Sequence, residues 1–281
     1  MNEDQNSLPN NLPLIVLEAG ATHLGDLKTA EALIDTAALV PGVSAIKFQT
    51  VWAGNIASHR PGSLTYRDAD GEHSRKIVDM LRERELGWDA WDAIDSHALE
   101  VGLPWFSTPD IPSTAKILGN CQVGYPTGYR FHLSAIKIAG MDMGRADLIA
   151  AAANTGLRVL LDTRGGKDDL DIALEICGQH RPDAIIVHTP TGYPTADPVL
   201  SRVSDLVDEY PDHLIGFTSH STGHLDCVKA IEAGASYIEK GITLDRKQPG
   251  IEHLMCIEPG EIAGFVDQIL QVHQAKQGVT E

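Results

Sequence analysis

The sequence is poor in cysteine pairs, in basic side chains and in long apolar runs, and each shortage excludes a class of protein. Its four cysteines, Cys121, Cys177, Cys227 and Cys256, stand far apart with no CxxC. That spacing offers neither a redox motif nor a zinc motif, so the thiols read as reduced and structural. Lysine and arginine total 22 against 39 aspartates and glutamates, a formal charge of −17. A chain this acidic lacks the basic surface that nucleic acid or an anionic membrane requires. A small anion remains open to it, because a few lysines in one cleft reverse the local field. No apolar run approaches membrane-spanning length, and the first dozen residues are polar and acidic. This fits a cytoplasmic protein with flexible ends, 1–13 and 277–281, around one domain at 14–276.

What the sequence has in abundance is a repeated unit. With 43% hydrophobic and 22% charged residues it has the composition of a globular core. Eight short apolar runs end in polar residues: Leu14–Glu18, Ser44–Gln49, Leu103–Pro109, Ser134–Gly140, Arg158–Thr163, Ala184–Thr189, Ile215–His220 and Ser236–Lys240. Helical patterns follow them, at Lys28–Val40, Ser74–Arg84, Trp88–Glu100, Pro112–Leu118, Arg145–Asn154, Asp168–Gln179, Val199–Glu209, Leu225–Ala233 and Pro259–Ala275. Near-continuous apolar strands are buried on both faces. Eight strand-then-helix units in about 260 residues predict an α/β fold, the (β/α)8 TIM barrel. An open doubly wound sheet is the alternative. It calls for a glycine-rich dinucleotide fingerprint, and the first loop, Gly20-Ala-Thr-His23-Leu-Gly25, has neither the spacing nor the acidic partner. The polar segment Trp52–Glu72 is too long for an ordinary connection and is expected to be a functional loop or lid.

In a barrel the reactive groups stand at the C-terminal strand ends. Here these are Glu18, Lys47 with Gln49, Ser107 with Thr108, Lys137, Asp162 with Thr163, His188 with Thr189, Thr218 with His220, and Glu239 with Lys240. Lys47 and Lys137 lie inside otherwise apolar runs, where a lysine is costly unless paired or liganded. They could simply pair with Glu18 or Glu239. Two such lysines with threonines beside them point instead to a pocket for a small polyanion. His23, His188 and His220 are each candidates for the site or for satisfied core positions, with His220 the foremost. Asp245-Arg246 could be only a loop ion pair, and Tyr193 only a packed turn aromatic.

These motifs in combination resemble the sialic acid synthase family, which condenses phosphoenolpyruvate with an N-acetylated sugar to nine-carbon 2-keto-3-deoxy acids. The resemblance runs from about residue 14 to residue 272. It is carried by Glu18 to Gly25, Lys47-Phe-Gln49-Thr, Phe106-Ser-Thr108-Pro, Ile136-Lys137-Ile-Ala, Val187-His188, Tyr193-Pro194, Gly216 to His220, Ile238-Glu239-Lys240, Thr243-Leu-Asp245-Arg246 and Pro249-Gly250. It implies phosphoenolpyruvate contacts at Lys47, Thr108, Lys137, Thr191 and Thr218, the last two replacing an asparagine and a serine. Sugar-side contacts would fall on Gln49, Tyr193 and Glu252, and acidic groups near the reacting centre on Glu18 and Asp142.

Five departures accompany it. A further family contact, a serine after the fourth strand, is Gly140 here. The family holds a divalent metal, Mn or Mg, through His220 and a second histidine whose position is Gly241 here, so either His23, His188 or His253 substitutes, or fewer groups hold it, or none is used. Asp110 stands for an aromatic of the sugar pocket, and an insertion at roughly 122–131 enlarges the loop before the fourth strand. The family's antifreeze-like domain, which supplies an arginine to the partner chain's sugar site, is expected to be lacking. N-acetylmannosamine is therefore not the expected sugar.

The resulting expectation is a phosphoenolpyruvate-dependent synthase acting on an aldehyde, with catalytic Glu18, Asp142 and His220, and a homodimeric assembly. Two other readings stay open: an aldolase using Lys137 as a Schiff-base nucleophile, and a non-catalytic or regulatory relative that keeps the anion site.

Overall fold

The computed structural model describes residues 12–56, 62–120, 128–178, 180 and 183–278. Ten strands are formed in chain order: β1 (Leu14–Glu18), β2 (Ala45–Thr50), β3 (Ser63–Asp68), β4 (Gly71–Lys76), β5 (Trp105–Pro109), β6 (Ala135–Ile138), β7 (Arg158–Asp162), β8 (Ile185–His188), β9 (Ile215–Ser219) and β10 (Tyr237–Gly241). Eight of them close into a parallel barrel in the order β1-β10-β9-β8-β7-β6-β5-β2, as expected from the sequence. Closure leaves no sheet edge, and the helices pack around the outside.

The two faces of each strand explain why the runs read as continuously apolar. Ile15, Leu17, Ile46 and Phe48 point outward and join the helices in the large core. Val16, Ala45, Phe106, Ala135, Leu160, Ile185 and Tyr237 point inward and form a separate apolar layer in the lower barrel. Two residues further along each strand the same inward face reaches the mouth, since side chains alternate with period two. The helices begin and end on local chemistry. Asp26 caps Leu27–Ala38 by accepting from Thr29 N, and Gly102 closes Trp88–Val101 in the left-handed conformation at φ 73°.

The described part of the segment expected as a loop or lid, 52–56 and 62–72, is structured. A short helix, Ala53–Ile56, is followed by the antiparallel hairpin β3–β4. The helix read over Ser74–Arg84 is corrected accordingly: Ser74–Lys76 belongs to β4, and the helix is Ile77–Arg82. The turn is Ala69-Asp70, and Gly71 opens β4 opposite Asp68 at φ 134°. The hairpin lies over the barrel mouth, where Tyr66 and Met80 pack with Ala21 and Ile251. Arg67 N donates to Tyr193 O at 2.8 Å, and Gly250 N to Asp68 Oδ2 at 3.2 Å, fastening it to the loops after β8 and β10.

Cys177, Cys227 and Cys256 are buried free thiols, as read from the sequence. Cys121 and most of the insertion at 122–131 lie outside the described residues, as do 1–11 and 279–281 of the two ends. Phe131, at the insertion's end, is buried against Trp105. Among the described residues no helix is long and apolar enough to cross a membrane.

Candidate active site

The mouth holds a cavity of about 350 Å³ whose floor is the upper inward layer of the barrel and whose roof is the hairpin. Of the catalytic and substrate-binding residues that the resemblance implies, Glu18, Lys47, Gln49, Thr108, Lys137, Thr191, Tyr193, Thr218, His220 and Glu252 line it, and Asp142 does not. Asp142 is buried in the one-turn helix after β6, 3.7 Å from Arg145, and its neighbour Met141 faces the cavity instead.

Strand register assembles the charges. Glu18 lies beside Lys47 across β1–β2, and Thr218 beside Glu239 across β9–β10. Glu239 receives Lys137 Nζ at 2.8 and 2.9 Å on its two oxygens, Lys47 Nζ at 3.3 Å, and the Tyr237 hydroxyl at 2.5 Å. Lys137 also donates to Thr218 Oγ1 at 3.0 Å, and Lys47 contacts the Glu18 carboxylate. Glu18 Oε1 accepts from Gly20 N at 2.8 Å and from Gln49 Nε2 at 3.4 Å.

Lys47 and Lys137 contact two of the three buried carboxylates, Glu18 and Glu239, while Glu252 feels chiefly Arg84, and burial competes with these cations at each. Burial opposes charge on Glu239, but Lys137 and Lys47 outweigh it and hold its carboxyl at about 2. For Glu18 burial wins over Lys47, with Glu239 and Glu252 adding to it, and the carboxyl is pushed up to about 7. Burial likewise raises Glu252 and lowers Lys137. His220 stacks on Tyr193 with ring centroids 4.8 Å apart. Burial, with Arg164 and Lys137 nearby, brings it down to about 3, so it is a neutral imidazole, and its buried Nδ1 has no partner.

Other strand-end groups serve the scaffold. Lys240 is the next residue after Glu239 and so points the opposite way, to Ser219 Oγ at 3.0 Å and Ser221 O at 2.6 Å. Ser107 Oγ accepts from Thr50 N at 2.9 Å. Asp110, at the position of the family's aromatic, accepts from Trp52 N at 3.0 Å and Thr114 Oγ1 at 2.6 Å. Arg246 pairs with Glu261.

Two charged cavity residues escaped the sequence reading, Arg84 and Arg164. Arg164 follows the β7 end by two positions, and reading one residue beyond Asp162-Thr163 finds it. Arg84 is brought in beneath the hairpin, and the Asp70-Gly71 pair, at the end of the turn, is the signal for that hairpin.

The residues do not fit the metal implied by the resemblance. His220 lacks a second histidine, and a Cβ on Gly241 would lie 2.5 Å from Cys256 Sγ. Burial pushes the Cys256 thiol well up, away from a ligating thiolate. The substitutes considered, His23, His188 and His253, lie off the cavity lining. His23 packs among Phe48 and Trp91, His188 sits 3.3 Å from Thr163 Oγ1, and His253 sits 2.7 Å from Thr243 Oγ1. Among the described residues no group of three or more metal-ligating side chains is placed to hold an ion.

Known proteins resemble this chain over most of its length. A synthase of N,N'-diacetyllegionaminic acid from Campylobacter jejuni is 26% identical over 268 residues, covering 93% of this chain and 77% of that protein. The spore coat polysaccharide biosynthesis protein SpsE of Bacillus subtilis is 28% identical, covering 95% of this chain and 69% of that protein. Among solved structures, the N-acetylneuraminic acid synthetase of Leptospira borgpetersenii superposes with a TM-score of 0.80 at 27% identity, covering 96% of this chain and 89% of that one. The model of the NeuB family matches residues 33–281, and the chain belongs to that family.

Proposed function

We propose that this protein condenses phosphoenolpyruvate with an aldehyde, an open-chain sugar or a sugar-like molecule, giving a 2-keto-3-deoxy acid and inorganic phosphate. The observation that carries this reading is the pair of buried lysines, Lys47 and Lys137, meeting on Glu239 at the floor of the mouth cavity. Buried ammonium groups are maintained where an anion repeatedly takes the place of water. Family membership and the named synthases among the relatives support the same reaction class.

In this reading Lys47 and Lys137 hold the substrate's negative groups, and Thr108, Thr191 and Thr218 donate to them. C3 of the enol attacks the aldehyde carbon, forming the new C–C bond. The aldehyde oxygen takes up negative charge and then a proton, and neutral His220 donates a hydrogen bond to it meanwhile. Water adds to C2, losing its proton to Glu18, whose raised pKa suits a base near neutrality. The bond from C2 to the phosphate oxygen then breaks as the C2 hydroxyl gives its proton to the departing phosphate, which leaves a ketone at C2. Gln49, Tyr193 and Glu252 border the space left for the aldehyde. Asp142, off the cavity lining, is assigned no step.

Lys137 donates to three oxygen atoms, which favours an ammonium anion-binder over a Schiff-base nucleophile. The test is phosphate release from phosphoenolpyruvate with a panel of aldehydes, with and without Mn²⁺. Release that requires an aldehyde supports the reading, and none under any condition overturns it in favour of a binding protein. Borohydride trapping of a 2-keto acid on Lys137 would favour the aldolase. Homodimerisation and a cytoplasmic setting belong to the same proposal, and light scattering tests the first.

A further inference from the structure

Arg164 stands in the cavity wall in a way the lysines do not. It is anchored along one edge only. Its backbone N and Nε donate to Asp162 Oδ1 at 2.9 and 3.2 Å, and Nη2 donates to Asp162 Oδ2 at 3.1 Å. Nη1 reaches the Tyr193 hydroxyl at 3.4 Å. Asp162 is fully buried, so the fork between the two residues is fixed from below. These contacts leave N–H donors on both terminal nitrogens unspent, and the residue lines the cavity with Lys137, Thr191 and His220. Lys137, by contrast, commits its donors to Glu239 and Thr218.

The space for the guanidinium comes from Gly140. A Cβ there would lie 2.5 Å from Arg164 Cβ, 2.6 Å from its Nε and 2.7 Å from Asp162 Oδ1. A side chain at 140 and the arginine in this position exclude one another. The other arginine of the lining, Arg84, rests its Nε on Met80 O under the hairpin and faces Glu252, on the aldehyde side.

We propose that Arg164 adds a phosphate-binding fork to this cavity beside the lysines, oriented by Asp162 and given room by the absent side chain of Gly140. This rests on the phosphoenolpyruvate reading above and assigns the phosphate end of that substrate to the β6–β8 side of the mouth. A planar fork with spare N–H groups matches phosphate oxygens, which a single ammonium point charge does not.

The test is calorimetric binding of phosphoenolpyruvate, inorganic phosphate and pyruvate to the full chain. The variants are Arg164→Gln, Arg164→Lys and the double variant Asp162→Asn/Arg164→Gln. The double variant guards against misfolding, because it leaves no unpaired buried carboxylate. Both Gln variants should weaken phosphoenolpyruvate and phosphate by roughly 30-fold, the range of a charge-assisted pair, and pyruvate by less than about 3-fold. Arg164→Lys should recover only part of the loss. Gly140→Ala should weaken the two phosphate ligands in the wild-type background, because its Cβ displaces the guanidinium. If the wild type binds phosphoenolpyruvate and the double variant binds it equally, or loses pyruvate in step, the assignment of Arg164 is wrong while the broader reading stands. A wild type that binds neither phosphoenolpyruvate nor phosphate overturns the broader reading itself.

Discussion

The lower and upper inward layers of the barrel are built by the same strands two residues apart, and they are chemical opposites. Below are Val16, Ala45, Phe106, Ala135, Leu160 and Tyr237; above, in the same order, are Glu18, Lys47, Thr108, Lys137, Asp162 and Glu239. Both sets are buried. The lower layer stabilises the fold by ordinary apolar transfer, at about 25 cal/mol per Å². The upper layer surrenders hydration on each charge and recovers it only from neighbours, a balance that seldom favours stability. Tyr237 joins the two, its ring below and its hydroxyl on Glu239 at 2.5 Å. The difference teaches that one end of the strands is selected for holding the barrel together and the other for meeting a ligand.

Lys137→Ala should break the upper layer most. It leaves Glu239 with Lys47 and Tyr237 alone. We expect phosphate release to fall by a factor on the order of 1,000, alongside a loss of roughly 3 kcal/mol in urea unfolding for the carboxylate left underpaired. Wild-type turnover in this variant would remove the upper layer from the chemistry.

Glu18→Gln comes next, at about 100-fold, because one general base typically contributes that much or more. Its signature is in pH. With the carboxyl at about 7, Glu18 is protonated and inactive as a base below that value, so kcat/KM should rise with pH and bend near 7. Glu18→Asp should move the bend. A bend that stays put in Glu18→Asp would assign it to another group.

How much of this was legible in the sequence differs between the same two layers. The alternation of strand and helix displayed the barrel, and a charged residue closing an apolar run marked nearly every upper-layer position. Local pattern also decides which way a residue points once its neighbour is placed, as with Glu239 inward and Lys240 outward. The hairpin was hidden because Ser74–Arg84 carries apolar residues at spacings a helix also uses, and only Asp70-Gly71 discriminates. Arg84 and Asp142 depend on tertiary placement: the hairpin folds Arg84 over the mouth, while the turn after β6 rotates Asp142 toward Arg145. No periodicity encodes either.

Leu160→Ala tests the other side of the comparison. Its side chain lies in the lower layer, 2% exposed, and truncation should cost about 3 kcal/mol in unfolding free energy through lost transfer and the cavity left behind. Turnover of the folded fraction should stay within about 3-fold of wild type. A large loss of kcat at intact fold would mean that the two layers are mechanically coupled, and the division drawn between them would fail.

The smallest effect is expected from removing divalent metal. The upper layer's charges come from side chains that already neutralise one another, and the ion's second ligand position is closed. Gly241 has no side chain, Cys256 Sγ stands 2.5 Å from where one would begin, and that sulfur donates to Glu252 O at 3.0 Å instead. Cys256→Ser keeps the donor and should leave turnover within about 2-fold, as a structural thiol predicts. Phosphate release in chelator should likewise stay within about 2-fold of that in Mn²⁺, since loss of a true ligand shell costs far more than this. A Mn²⁺ stimulation of more than about 10-fold, abolished by His220→Ala, would show that His220 finds ligands outside the described residues, and the charge balance of the mouth would then have to include the ion.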